Sequence, residues 1–153
     1  MALQTIVNAK QALGVVGEIY DDSPRRVNSH RMLTAGKIGN AVVAGAGGVS
    51  MGTAGAFAGI LINPKTLALK GLAPSLNIDA ETQVEAMTFG RVYVAPTNAT
   101  AVGNAAFVVT ATGEIQAGTA GGTVTGATEI VSSKFLTAGN ANDVCVLQLT
   151  TNA

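Results

Sequence analysis

A chain of 153 residues fits one domain. Its nine basic and nine acidic side chains cancel, leaving 12% of residues charged where globular domains carry about 25%. No run of Lys or Arg interleaves with aromatics, which reach only 4%, and no stretch of about 20 apolar residues spans a membrane, so nucleic-acid and membrane partners are both excluded.

Residues 1–12 carry one charge, Lys10, and no core-facing periodicity, which predicts a short helix or an extended arm outside the domain. Residues 13–20 read as β. Asp21-Asp22-Ser23-Pro24 is a turn signal, because Asp carboxylates bond nearby backbone and Pro presets φ. Val27 to Leu33 then returns as a strand. The Gly36–Gly55 stretch is too rich in Gly for a helix, each interior Gly costing about 0.5–1 kcal/mol. It reads as a loop-rich insertion with one strand, Ile38 to Val43, and a flexible loop over Gly45–Gly55.

Phe57 to Ile62 is an apolar run stopped by Asn63-Pro64, hence a buried strand, and Thr66 to Leu69 adds a short piece. Ile78 to Phe89 admits two forms. Asp79-Ala80-Glu81-Thr82 resembles a helix start, while Val84, Ala86 and Thr88 alternate as in a strand leading to Gly90. Arg91 to Ala95 alternates up to Pro96. Ala105 to Ala111 and Glu114 to Ala117, joined at Thr112-Gly113, give the best hairpin signal in the chain. Gly118 to Gly126 is a loop, and Glu129 to Leu136 and Asp143 to Leu149 close the sequence as strands. Eight to eleven short strands separated by turn chemistry predict a mainly β protein. The expected architecture is a single small antiparallel β-barrel or β-sandwich over 13–153, with the arm in front of it.

The candidate chemical motifs are sparse. Gly45-Ala46-Gly47-Gly48 lacks the G-x-G-x-x-G spacing and the G-K-[ST] ending of phosphate loops, so it reads as a surface loop. His30 is the only histidine. With Cys145 the only cysteine, no zinc site assembles, and Ser23 or Ser29 with Asp21 lacks any nucleophile context. Asp79, Glu81 and Glu85 lack the spacing of a calcium loop and read as a solvated edge. Asn98-Ala99-Thr100 matches a glycosylation sequon, but the first residues lack the pattern of a signal peptide, which implies a cytosol-like compartment of synthesis. Cys145, in an alternating apolar run, reads as a small buried hydrophobe. No cofactor is expected.

One feature stands out. Asp21, Asp22, Arg25, Arg26 and Arg31 crowd into eleven positions of an otherwise charge-poor chain. A self-neutralising solvated hairpin would account for them. So would a partner-binding element, in which Arg forks pair with carboxylates of another subunit. Sparse charge and small side chains elsewhere point the same way, toward a surface covered by partner subunits.

Gly14-Val-Val-Gly-Glu-Ile-Tyr-Asp-Asp-Ser-Pro-Arg-Arg-Val, Phe57-Ala-Gly-Ile-Leu-Ile-Asn-Pro-Lys, Phe89-Gly-Arg-Val-Tyr-Val and the closing Asp143-Val-Cys-Val-Leu-Gln-Leu resemble the structural cement, or head decoration, proteins of tailed bacteriophages. The resemblance is one of pattern and composition over most of the chain. It implies a non-enzymatic β protein on the outer surface of the virion capsid. Such a protein sits as a homotrimer at three-fold and quasi-three-fold positions and bridges major capsid protein subunits. By that resemblance, Leu3, Ile6 and Val7 of the arm reach over a neighbouring subunit, and Asp21 to Arg31 form the charged contact. The competing expectations are another virion subunit, in the tail tube or a fibre, and a β-rich ligand-binding module or enzyme.

Overall fold

β-branched and apolar side chains alternate between turns marked by Gly, Asn and Asp, and this pattern suits a pleated, half-buried surface. A computed structural model describes residues 13–52, 54–63 and 76–150, which contain twelve strands and no helix. In chain order these are β1 (Arg26–Arg31), β2 (Gly36–Lys37), β3 (Ala41–Gly45), β4 (Gly48–Ser50), β5 (Phe57–Ile62) and β6 (Asn77–Ile78). They continue with β7 (Gln83–Val94), β8 (Ala105–Val109), β9 (Ile115–Gly118), β10 (Ala127–Glu129), β11 (Ser133–Phe135) and β12 (Cys145–Leu149). All the strand-to-strand ladders are antiparallel.

The long strand β7 organises the rest. Its first half pairs with β1 and, across Glu85–Met87, also with β5, so those two lie on its opposite edges. β5 pairs with β3, and β3 with β4. The two ends of this series then meet: Met32, just after β1, bridges Val49 of β4, and the Leu33 N–H donates to the Val49 carbonyl at 2.8 Å. Five strands thus close into a ring. One cluster of buried side chains is supplied by that ring, including Met32, Val42, Val49, Leu61, Val84 and Ala86.

A second, larger cluster lies between this ring and the remaining strands. Ile60, Ile62 and Met87 meet Val92, Val94, Ala106, Ile115, Phe135 and Leu147 there. β7 contributes to both clusters and changes face between its halves. Even-numbered Val84 and Ala86 belong to the first, but even-numbered Val92 and Val94 join odd-numbered Met87 in the second. A one-residue slip does this. Arg26 pairs with Phe89 and Val27 with Met87, leaving Thr88 as the extra residue of a bulge.

β7 also turns a corner. Ile62 lies opposite Glu85, yet the next residue, Asn63, donates its N–H to the Gly17 carbonyl at 2.8 Å while the Gly17 N–H donates to the Tyr93 carbonyl at 2.8 Å. A straight strand would hold Glu85 and Tyr93 about 26 Å apart at ~3.3 Å per residue. Gly90 stands at the bend with φ +126°, and a Cβ there would lie 2.9 Å from the Arg25 Cβ.

β8 is flanked by β10 and β9 in a separate three-stranded sheet, while β11 and β12 extend the large sheet from the second half of β7. The two sheets are joined at β11: the Ala106 N–H donates to the buried Ser133 hydroxyl at 2.9 Å, and the Phe135 N–H to the Asn104 carbonyl at 2.8 Å.

This is the mainly β, antiparallel architecture expected, with local corrections. The stretch expected to be a flexible loop over Gly45–Gly55 holds β4, reached through a two-residue turn, Ala46-Gly47, in which Gly47 takes φ +83° with open space around it. The strand expected from Ile38 starts at Ala41, because Gly39 turns the chain with φ +85°. Residues 13–20 form no regular strand, although the Ile19–Val92 bridge and backbone hydrogen bonds of Gly17, Glu18 and Tyr20 to Tyr93 and Arg91 hold them along β7. The helix start at Asp79 is absent: Ala80 and Glu81 lie in a turn, Glu81 with φ 67°, and β7 runs unbroken to Val94. The single strand expected over Glu129–Leu136 is two, separated at Ser132 with φ 60°. The piece expected at Thr66–Leu69 lies outside the described residues.

Candidate functional site

The charged cluster sits where the chain crosses the corner of β7. Ile19 bridges Val92 and the Tyr20 N–H donates to the Arg91 carbonyl at 3.0 Å, after which residues 21–25 loop out before β1 resumes pairing at Arg26. The turn chemistry works as expected. The Asp21 carboxylate accepts from the Ser23 N–H at 3.2 Å and from the Ser23 hydroxyl, and its other oxygen accepts from Arg91 at 2.6 Å. Chiefly the Ser23 hydroxyl, aided by the Arg91 guanidinium, holds the Asp21 carboxyl below its ordinary value.

The remaining members of the cluster divide. Asp22 lies 3.8 Å from Arg25 in an exposed pair, and Arg31 pairs with Glu81 from the turn before β7. Arg26 is exposed and pairs with no carboxylate among the described residues. So Asp21 and Arg31 are tied inward to β7 or its approach, and Arg25 and Arg26 are the cations directed outward from the loop. The segment leading into the loop exposes the apolar side chains Leu13, Val15, Ile19 and Tyr20, with the Tyr20 ring packed edge-on against Tyr93 at 5.5 Å. Leu3, Ile6 and Val7 lie outside the described residues.

Sequence reasoning missed Arg91 and Glu81 as partners. Neither stands near the cluster in the chain, and Arg91 in an alternating strand carries no local signal for a charge pair.

The other candidates resolve structurally. Cys145 is fully buried in the core, and burial pushes its thiol up, as for a small buried hydrophobe. Asn98 is a clamp: its side-chain amide donates to the Ala117 carbonyl at 2.8 Å and its oxygen accepts from the Ala117 N–H at 2.8 Å. Glu81 points to Arg31 while Glu85 lies within β7, and no cluster of metal-ligating side chains forms among the described residues. The His30 Nε2 is buried without a hydrogen-bond partner on β1, opposite Val84.

With this geometry in place, comparison with known proteins is decisive. The model of the structural cement protein family (E217 gp24/Pam3 gp6) matches residues 3–150. The chain belongs to the structural cement protein family. Among solved structures, a chain of the capsid of Myoviridae phage XM1 superposes with a TM-score of 0.74 at 19% identity, covering 100% of both chains, and so shares the fold. The N-terminal base of head fiber gp8.5 of bacteriophage phi29 aligns with a TM-score of 0.49 at 8% identity over 83% of this chain and 95% of that one. No curated protein matches. The cement protein is therefore a structural component of a phage virion that associates with the capsid and its major capsid protein.

Proposed function

We propose that this cement protein binds the outer surface of the phage capsid and bridges adjacent major capsid protein subunits, thereby stabilising the head. It does so as a homotrimer at three-fold and quasi-three-fold positions, after synthesis in the bacterial host cytoplasm. The family match over residues 3–150 carries this reading. The loop at the corner of β7 supports it. Arg25 and Arg26 are exposed on a charge-poor protein, and the segment leading into their loop exposes Leu13, Val15, Ile19 and Tyr20. That pairing of Arg with exposed apolar and aromatic side chains is the composition of an interface. Asp21, bonded to Ser23 and Arg91, holds the loop in shape; Asp22 and Arg31 add charge to the contact, and Leu3, Ile6 and Val7 reach over the neighbouring subunit.

The energetics are those of linked binding. A ligand that prefers the assembled shell stabilises it by about 2.7 kcal/mol per site at a hundredfold excess over Kd, and repetition over a lattice multiplies the restraint. The test is binding of the double variant Arg25→Ala/Arg26→Ala to heads stripped of this protein. The Asp22–Arg25 pair is exposed and screened by solvent, so the thermal midpoint should hold while head binding weakens about tenfold or more. Unchanged binding removes these two residues from the contact. Cryo-EM of virions then tests the location, by density for this chain outside the capsid floor at the three-fold positions.

A further inference from the structure

A second surface lies away from the charged loop. Between β10 and the stretch leading into β5 the protein opens a cleft of about 360 Å³, floored by Val43, Phe57, Val108 and Ile130 and bordered by Glu129 and Val131. Its size falls in the lower part of the range for ligand-seating clefts, ~300–1,000 Å³. Val131 at its rim is 67% exposed, the most exposed large apolar side chain among the described residues.

β10 is the outer strand of its sheet beside this cleft, and its edge is unpaired at Glu129. The Ile130 N–H donates to the Ala106 carbonyl and the Gly126 carbonyl accepts from the Thr110 N–H, so even-numbered residues of this segment face β8. Ala127 and Glu129 face outward, and the Ala127 N–H donates to the Val124 carbonyl at 3.1 Å. The N–H and C=O of Glu129 therefore point away from β8, and neither bonds other backbone among the described residues. An edge with unpaired groups over an apolar trough is a seat for an added strand, whose backbone supplies affinity and whose alternate side chains supply specificity.

The cleft also specifies its occupant's charge. Glu129 is its one charged lining residue among those described, and its carboxylate accepts only the Gly121 N–H, at 3.0 Å, in hydrogen bonding. A carboxylate can accept several further hydrogen bonds.

We propose that this cleft seats an extended segment of the major capsid protein as an added strand on β10. The segment makes two backbone hydrogen bonds to Glu129, lays an aliphatic side chain on the Phe57–Ile130 floor and places a Lys or Arg against the Glu129 carboxylate. This rests on the cement reading above and adds to it a second attachment point, chemically distinct from the loop at Asp21–Arg26. Two attachment points on one chain are what bridging requires.

Hydrogen exchange of the full chain, free and bound to heads of its own phage stripped of this protein, tests it. Amides of residues 127–131 should exchange about tenfold or more slowly on heads. Val131→Arg and Glu129→Lys should each weaken head binding about tenfold while leaving the thermal midpoint in place. Head binding with unchanged exchange at 127–131, and with Val131→Arg binding normally, overturns the proposal but leaves the cement reading standing. Protection of 127–131 in the free protein that grows with its concentration assigns the cleft to a second copy instead. Failure of the wild-type chain to bind heads at all overturns both readings.

Discussion

The loop at Asp21–Arg26 and the cleft beside β10 are two surfaces of opposite construction. The loop is dense in charge, yet most of that charge is spent within the chain: Asp21 on Ser23 and Arg91, Asp22 on Arg25, and the nearby Arg31 on Glu81. The cleft holds one carboxylate, an apolar floor and an unpaired backbone position at Glu129, and is less satisfied. Charge density in a sequence thus marks a segment that needs shaping as much as one that binds. The surface with more unmet bonding capacity is assembled from residues remote in the chain.

Both surfaces stand on one scaffold, so the largest expected effect abolishes the comparison. Phe135 is fully buried on β11, where the two sheets join. Phe135→Ala should cost about 3–5 kcal/mol in denaturant unfolding, and head binding through either surface should fall with it. Retained stability would mean that the sheets hold together without this plug.

Gly90→Val should act chiefly on the loop, with the buried Met87 the second side chain that an added Cβ meets. The Gly90 φ of +126° is strained for a β-branched residue, and the added Cβ meets Arg25 at the base of the loop. A loss of about 1–3 kcal/mol is expected, with hydrogen-exchange protection lost around residues 20–26 while 127–131 stays unchanged. Equal loosening at both places would show that the corner of β7 governs the whole protein.

Acid sharpens the comparison further. The Asp21 carboxyl is held below its ordinary value, so its contribution to stability is complete above the unfolded-state value, near pH 4, and is lost as pH falls through the lower folded-state value. Unfolding free energy should therefore decline below about pH 4, and Asp21→Asn should flatten part of that decline. A wild-type slope unchanged by the substitution would show that the loop's pairing contributes nothing to the fold.

The smallest effect belongs to the bulge. The Thr88 hydroxyl is buried without a hydrogen-bond partner. Thr88→Val removes an unsatisfied oxygen at nearly constant shape and should be neutral or stabilising, within about 1 kcal/mol. Destabilisation beyond that would reveal a bonding role for the hydroxyl that the bulge conceals.

Much of this protein was legible in its sequence. Alternating β-branched runs and turn residues act over two to six neighbours, so Phe57–Ile62, the Thr112-Gly113 hairpin and the Asp21–Pro24 turn could be read directly. Three things belong to tertiary structure. The slip at Thr88 reverses which face of β7 each half buries, although Val84, Ala86, Val92 and Val94 all alternate in phase. The meeting of Met32 with Val49 closes the ring, and Arg91 and Glu81 reach the charged segment across 70 and 50 residues. The cleft beside β10 arises only when Val43, Phe57, Val108 and Ile130 converge. The physical reason is common to all three: periodicity reports how a strand meets its immediate neighbours, whereas bulges, ring closure and clefts depend on which distant strand it finally meets.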